Sequence, residues 1–103
     1  MLNLVWSARA REDVARIFTY IAEHDLDAAV NVRNAIARCA DRLLSFPLMY
    51  PEGRVPGTRE ALAHPNYILF YRLEGDVVEV TGVMHARRRY PKPYPAVHPP
   101  SME

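Results

Sequence analysis

The residues best suited to chemistry in this 103-residue chain gather at one point. The apolar run VVEVTGVM, Val77 to Met84, breaks off into His85, then Arg87, Arg88 and Arg89, then Tyr90. Histidine exchanges a proton near neutral pH, arginine grips phosphate or carboxylate oxygens with a planar fork, and tyrosine stacks or donates through its hydroxyl. Such a set can serve as acid, base and cations around a phosphodiester, or as a docking surface, since arginine and tyrosine are enriched at binding hot spots. Two plainer readings stand beside these. The arginines can be a solvated charge run at the end of a sheet, and His85 can be a neutral residue that caps a strand.

Other chemistries lack their residues. His24, His64, His85 and His98 show no close ligand spacing and Cys39 is the single cysteine, so no metal and no cofactor is expected. Phosphate-loop, dinucleotide and serine-elbow patterns are missing as well. Cys39 falls in an apolar helical pattern and reads as core. With a formal charge of +1 the field of the whole molecule is weak, so any attraction to nucleic acid must come from a local patch. No apolar run is long enough to span a membrane and the first residues lack a signal-peptide pattern, so a cytoplasmic protein with no membrane partner is expected.

The elements that must position these residues can be read from hydrophobic period and turn chemistry. LNLVW, Leu2 to Trp6, alternates like a short strand and stops at Ser7, a good N-cap, with Glu12 and Asp13 near the positive end of the following helix. Val14, Ile17, Phe18 and Ile21 recur at helical spacing. Asp25 is the next N-cap, and Val32, Ile36, Cys39 or Ala40, and Leu43 resume the period. So short a link predicts an antiparallel helix hairpin. The prolines and glycines of Ser45 to Gly57 end the helix, and Thr58–Ala63, Asn66–Leu73 and Val77–Met84 read as antiparallel strands joined by short turns. The order β-α-α-β-β-β predicts an α+β domain, a helix hairpin packed on a mostly antiparallel sheet. Residues 1–91 form that domain. Residues 92–103, with Pro93, Pro95, Pro99 and Pro100, read as an extended proline-rich tail.

WSARAREDVARIFTYIAEHDLDAA, VPGTRE, NYILFYRLEGDVVEV and VMHARRRYP, in this order and spacing, resemble the ParE/RelE superfamily of bacterial type II toxins. The resemblance runs roughly from Leu4 to Pro91. It implies a small toxin neutralised by a cognate antitoxin, with one of two targets: RelE-like members cut messenger RNA in the ribosome without metal, and ParE-like members poison DNA gyrase and are not hydrolases. Neutralisation would involve Arg9, Arg11, Arg16 and Arg33 along the helices, contacting an acidic antitoxin. Gyrase would be met by His85, Arg87, Arg88, Arg89 and Tyr90. A ribonuclease would draw on His85, Arg87, Tyr90 and His64.

The residues favour the ParE branch. RelE-like ribonucleases carry a phosphate-contacting arginine directly after the tyrosine that opens the third strand, and here that position is Ile68. The lysines of their preceding strand are also missing, REALA having only Arg59 at its start. The strand order puts Arg59 beside Arg72 at the opposite end of the sheet from His85 and Arg87, about five residues or on the order of 15 Å away. His64 and Tyr67 fall near His85 instead. The expectation is a gyrase-directed toxin. A ribosome-dependent ribonuclease and a non-toxic binding member of the same fold stand as alternatives.

Overall fold

The computed structural model describes residues 1–87. Arg88, Arg89, Tyr90 and the 92–103 tail, with the expected boundary before it, lie outside the described residues. β1 (Asn3–Trp6) leads into α1 (Ala8–Ala22) and α2 (Leu26–Ser45), followed by β2 (Arg59–His64), β3 (Tyr67–Glu74) and β4 (Val77–His85). The sheet order is β1-β4-β3-β2, with β1 parallel to β4 and the other pairs antiparallel. Both helices pack on one face of this sheet, which is the expected two-layer α+β architecture.

Local chemistry explains the junctions. The Ser7 side chain accepts the Ala10 N–H at 3.0 Å, and its own N–H donates to the Val80 carbonyl at 3.0 Å, so one residue ends β1 and caps α1. Asp25 caps α2 by accepting from the Ala28 N–H at 3.0 Å. Between β3 and β4 the chain reverses through Gly75, whose φ of 59° a side chain would disfavour. Within the β3–β4 ladder, Phe70 pairs with Gly82 and Tyr71 with Val80, which leaves Thr81 as the extra residue of a bulge. The Thr81 hydroxyl donates to the Phe70 carbonyl at 3.2 Å. Because of this shift Val78, Val80 and Val83 all join the helix-side core, though strict alternation would turn Val83 away.

The core lies between α2 and the middle of the sheet, where Ile36, Cys39 and Leu43 meet Leu69, Tyr71, Val78 and Val80, all fully buried. Each such aliphatic side chain contributes about 1.5–3 kcal/mol by leaving water. Tyr71 also donates its hydroxyl to the Pro47 carbonyl at 2.7 Å, which fastens the irregular segment after α2 to the sheet. α1 is held more loosely. Val14, Ile17 and Ile21 are only partly buried against the core, and the fully covered positions of α1 are Ala10 and Asp13.

Asp13 departs from the sequence expectation. The first turn of α1 carries no acidic residue, so Asp13 does not act on the helix dipole from there. It is buried at 5% exposure and spans the layer gap to β4.

Candidate functional site

β1 has four residues and β4 has nine, and their last pair is Trp6 with Val80. Among the described residues no strand runs beside β4 on that side beyond Val80, and α1 lies there in its place. Strands pack about 4.8 Å apart while a helix with its side chains is about 10 Å across, so the substitution leaves a gap between α1 and the end of β4. The gap is a groove of about 750 Å³. Ile17, Tyr67, Val83 and Met84 give it apolar lining; Arg9, Asp13, Arg16, Tyr20, His85 and Arg87 supply its polar groups.

Asp13 closes the inner end. One carboxylate oxygen accepts the Val83 backbone N–H at 3.0 Å, and the other accepts from Arg16 at 2.6 Å and Arg9 at 3.2 Å. The carboxylate is covered while the two arginine side chains are 68% and 58% exposed, so the guanidiniums reach into the groove mouth from a buried anchor. Exposed pairs of this kind contribute little through charge alone, and the covered N–H bond is the stronger tie.

On the opposite wall the Tyr67 ring meets the His85 ring edge-on at 5.0 Å and the His64 ring at 5.8 Å. The His85 Nδ1 accepts the Arg87 backbone N–H at 3.1 Å, and the His64 Nδ1 accepts the Asn66 N–H in the same way at 3.1 Å. An accepting Nδ1 puts the proton of the neutral ring on Nε2. Burial pushes the Tyr67 hydroxyl above its ordinary 10.0, with Tyr20 adding to the rise, so it stays protonated at neutral pH.

The expected site residues therefore divide. Arg9 and Arg16, expected on one surface, and His85 and Arg87, expected on another, line the same groove. Arg11 donates to the Trp6 carbonyl at 2.6 Å, and Arg33 stacks over the Phe18 ring at 4.9 Å; neither lines it. His64 lies beside Tyr67 and is not part of the lining. Arg59 pairs across with Tyr71 and donates to the Tyr50 carbonyl, far along the ladder from the Tyr67–His85 pair. Asp13, Tyr20 and Met84 are lining residues that the sequence does not assign to the site. The spacing of Arg9, Asp13 and Arg16 on one helix face was the available signal for Asp13, and its contact with β4 had none.

Ile68 stands on the sheet face away from the helices. Its cross-strand partners are Leu62 and Met84, so an apolar row crosses three strands at this point. Among the described residues no group of three or more His, Cys, Asp or Glu is placed to hold a metal ion, and no helix is long and apolar enough to cross a membrane.

A helix hairpin packed on a mostly antiparallel four-stranded sheet is the arrangement that the sequence predicts. Residues 4–90 match the family described as the ParE toxin of type II toxin-antitoxin systems, parDE, and the chain belongs to that family. Among curated proteins it is similar to the toxin RelE2 of Caulobacter vibrioides, 29% identical over 90 residues that cover 85% of this chain and 99% of the relative. Its fold matches a chain of the chromosomal ParDE system of P. aeruginosa with a TM-score of 0.71 at 19% identity, over 82% of this chain and 96% of that one. A chain of the E. coli DinJ–YafQ complex matches with a TM-score of 0.61 at 16% identity, over 87% and 99%.

Proposed function

We propose that this protein is a toxin that arrests growth by binding DNA gyrase, and that a cognate antitoxin neutralises it by forming a complex with it. The observation that carries the choice of target is the apolar row Leu62, Ile68 and Met84. The resemblance gives the position of Ile68 to a phosphate-contacting arginine in the ribonuclease members. Cleavage through a ribose 2′-hydroxyl passes through a charged phosphorane that needs cations aimed at it, and a removed charge-assisted contact costs about 2–4 kcal/mol of transition-state stabilisation. Here that place offers no cation. Further along the same face Arg72 is engaged with Glu79 at 3.0 Å. In the groove, Arg9 and Arg16 are tied to Asp13, and Tyr67 is a protonated phenol at neutral pH, unable to act as a base. A surface rich in arginine, with tyrosine and histidine beside it, suits binding better than hydrolysis.

The relative named RelE2 and the neighbouring His85 and Arg87 favour a second reading, a ribosome-dependent ribonuclease. Pulse labels of DNA and protein synthesis, taken in the minutes after the chain is induced without antitoxin, separate the two. DNA synthesis falling first supports the gyrase reading, and a supercoiling assay follows. Protein synthesis falling first overturns it in favour of the ribonuclease. Unimpaired growth with folded protein present would reduce the chain to a binding member of the family.

A further inference from the structure

The sheet face turned away from the helices is unevenly covered. Alternation along β3 puts Leu69 and Tyr71 in the helix-side core and Ile68, Phe70 and Arg72 on the opposite face. Leu62, paired with Ile68 from the edge strand β2, is 58% exposed, whereas Phe70, two residues on from Ile68, is 2% exposed. Its cross-strand neighbours do not account for that. On β4 it faces Gly82, which has no side chain, and on β2 it faces Glu60, whose carboxylate is held by Arg54 at 3.5 Å. A ring so placed needs a cover that the strands and the helices do not supply.

We propose that the proline-rich segment 92–103 folds back over this face and lies across Met84, Ile68 and Phe70 as a strap. The sixteen residues after Arg87 start at the end of β4, one register pair beyond Met84 and Ile68. In an extended proline conformation they reach about 50 Å, while β2 lies only about 10 Å from β4 across the sheet. Pro93, Pro95, Pro99 and Pro100 have no N–H to donate, so the segment is unsuited to extending the ladder and suited to lying on a face. Tyr94 and Val97 are the apolar groups it brings to the row, and its prolines cut the entropy lost on ordering. Charge favours the same seat. By alternation the face carries Glu60, Glu74 and Glu79 against Arg72, and the approach to the strap carries Arg88, Arg89 and Lys92. The strap closes the face on which the resemblance places the phosphate contact of the ribonuclease members. It stands whichever target the toxin has.

The test uses the full chain with pairs of added cysteines. Leu62→Cys, at an exposed position, is combined in turn with Tyr94→Cys, Val97→Cys or Ser101→Cys, and disulfide formation under mild oxidation is followed by gel mobility. Cys39 is fully buried and stays silent, which the single Leu62→Cys variant checks. A docked strap is expected to make one of the three pairs close on the order of tenfold faster than the other two, because it fixes which residue lies at the β2 edge. An undocked tail gives rates within about threefold of one another, since tether length alone changes closure slowly, and that result overturns the proposal. Ile68→Glu in the apolar row is expected to level the three rates, with thermal unfolding as the check that this variant folds. An unchanged preference in the folded Ile68→Glu chain overturns the seat on the row. Disulfides formed chiefly between chains also overturn it, and would assign the face to a second copy. Growth arrest is measured separately, so a failed strap leaves the toxin reading untouched and a failed toxin reading leaves the strap.

Discussion

The Asp13 carboxylate accepts the backbone N–H of Val83 at 3.0 Å, joining residues 70 positions apart in the chain. β1 has already turned into α1 at this level of the sheet, so among the described residues no neighbouring strand lies on that side of Val83. A side chain completes the hydrogen bonding of a strand end, and the same side chain fixes how far α1 stands from β4. The groove width thus depends on one carboxylate.

Replacing that carboxylate separates its two roles. Asp13→Ala strands a covered N–H and is expected to lower stability by about 1–3 kcal/mol, whereas Asp13→Asn keeps an acceptor for Val83 and is expected to cost less. Urea unfolding of the two variants gives the comparison, and equal losses would show that the Val83 bond is not what matters.

Arg87 is exposed, so Arg87→Glu is expected to change stability by no more than about 0.5 kcal/mol while abolishing growth arrest. The pair of measurements is a melting curve and a plating assay after induction. Full toxicity in the folded variant would remove the sheet end from the target surface.

Burial raises the Tyr71 hydroxyl above its ordinary 10.0, and the Tyr67 hydroxyl moves the same way. The unfolded chain therefore releases these protons first as pH climbs past 10.0, while the folded chain retains them until its own higher values are reached. Through this window the unfolded state binds fewer protons, and stability falls with rising pH. Tyr71→Phe is expected to lose about 1 kcal/mol at neutral pH with the Pro47 bond, and to show a shallower alkaline decline. Urea midpoints across the alkaline range read both effects. A decline as steep as that of the parent chain would place the titrating group elsewhere.

Cys39 is fully covered, and burial raises its thiol above the ordinary 9.0 against the opposing pull of Arg42. Since the thiolate is the reactive form, the native protein is expected to resist a thiol reagent at mildly alkaline pH and to react at once in urea. Rapid native labelling would mean that α2 opens readily from the sheet.

Much of this architecture was open to reading from the chain. The period of Val32, Ile36, Cys39 and Leu43 reflects the single buried face of α2, and Ser7 and Asp25 are caps whose side-chain chemistry admits few other roles. Hairpin turns at His64–Tyr67 and Glu74–Val77 put Tyr67 opposite His85, so that neighbourhood too could be anticipated. What could not be read was the approach of α1 to β4. It depends on β1 being parallel to β4 and shorter, and on a bulge at Thr81 that turns Val83 inward; neither leaves a local trace. From the sequence Arg9 and Arg16 consequently read, with Arg11 and Arg33, as antitoxin contacts along the helices, and Asp13 as an acid near the helix start.

The order β1-β4-β3-β2 has a temporal meaning as well. Ser7, just past the first strand, bonds to Thr81, 74 residues later, so β1 must wait for β4 before it has a place in the sheet. Long-range closure of this kind is slow compared with forming the helix hairpin or the β3–β4 turn. Val83, Met84, His85 and Arg87 are made after every other groove residue. A chain in which β4 has yet to form therefore has its helices without the groove, which comes into being only when β4 slides in between β1 and β3.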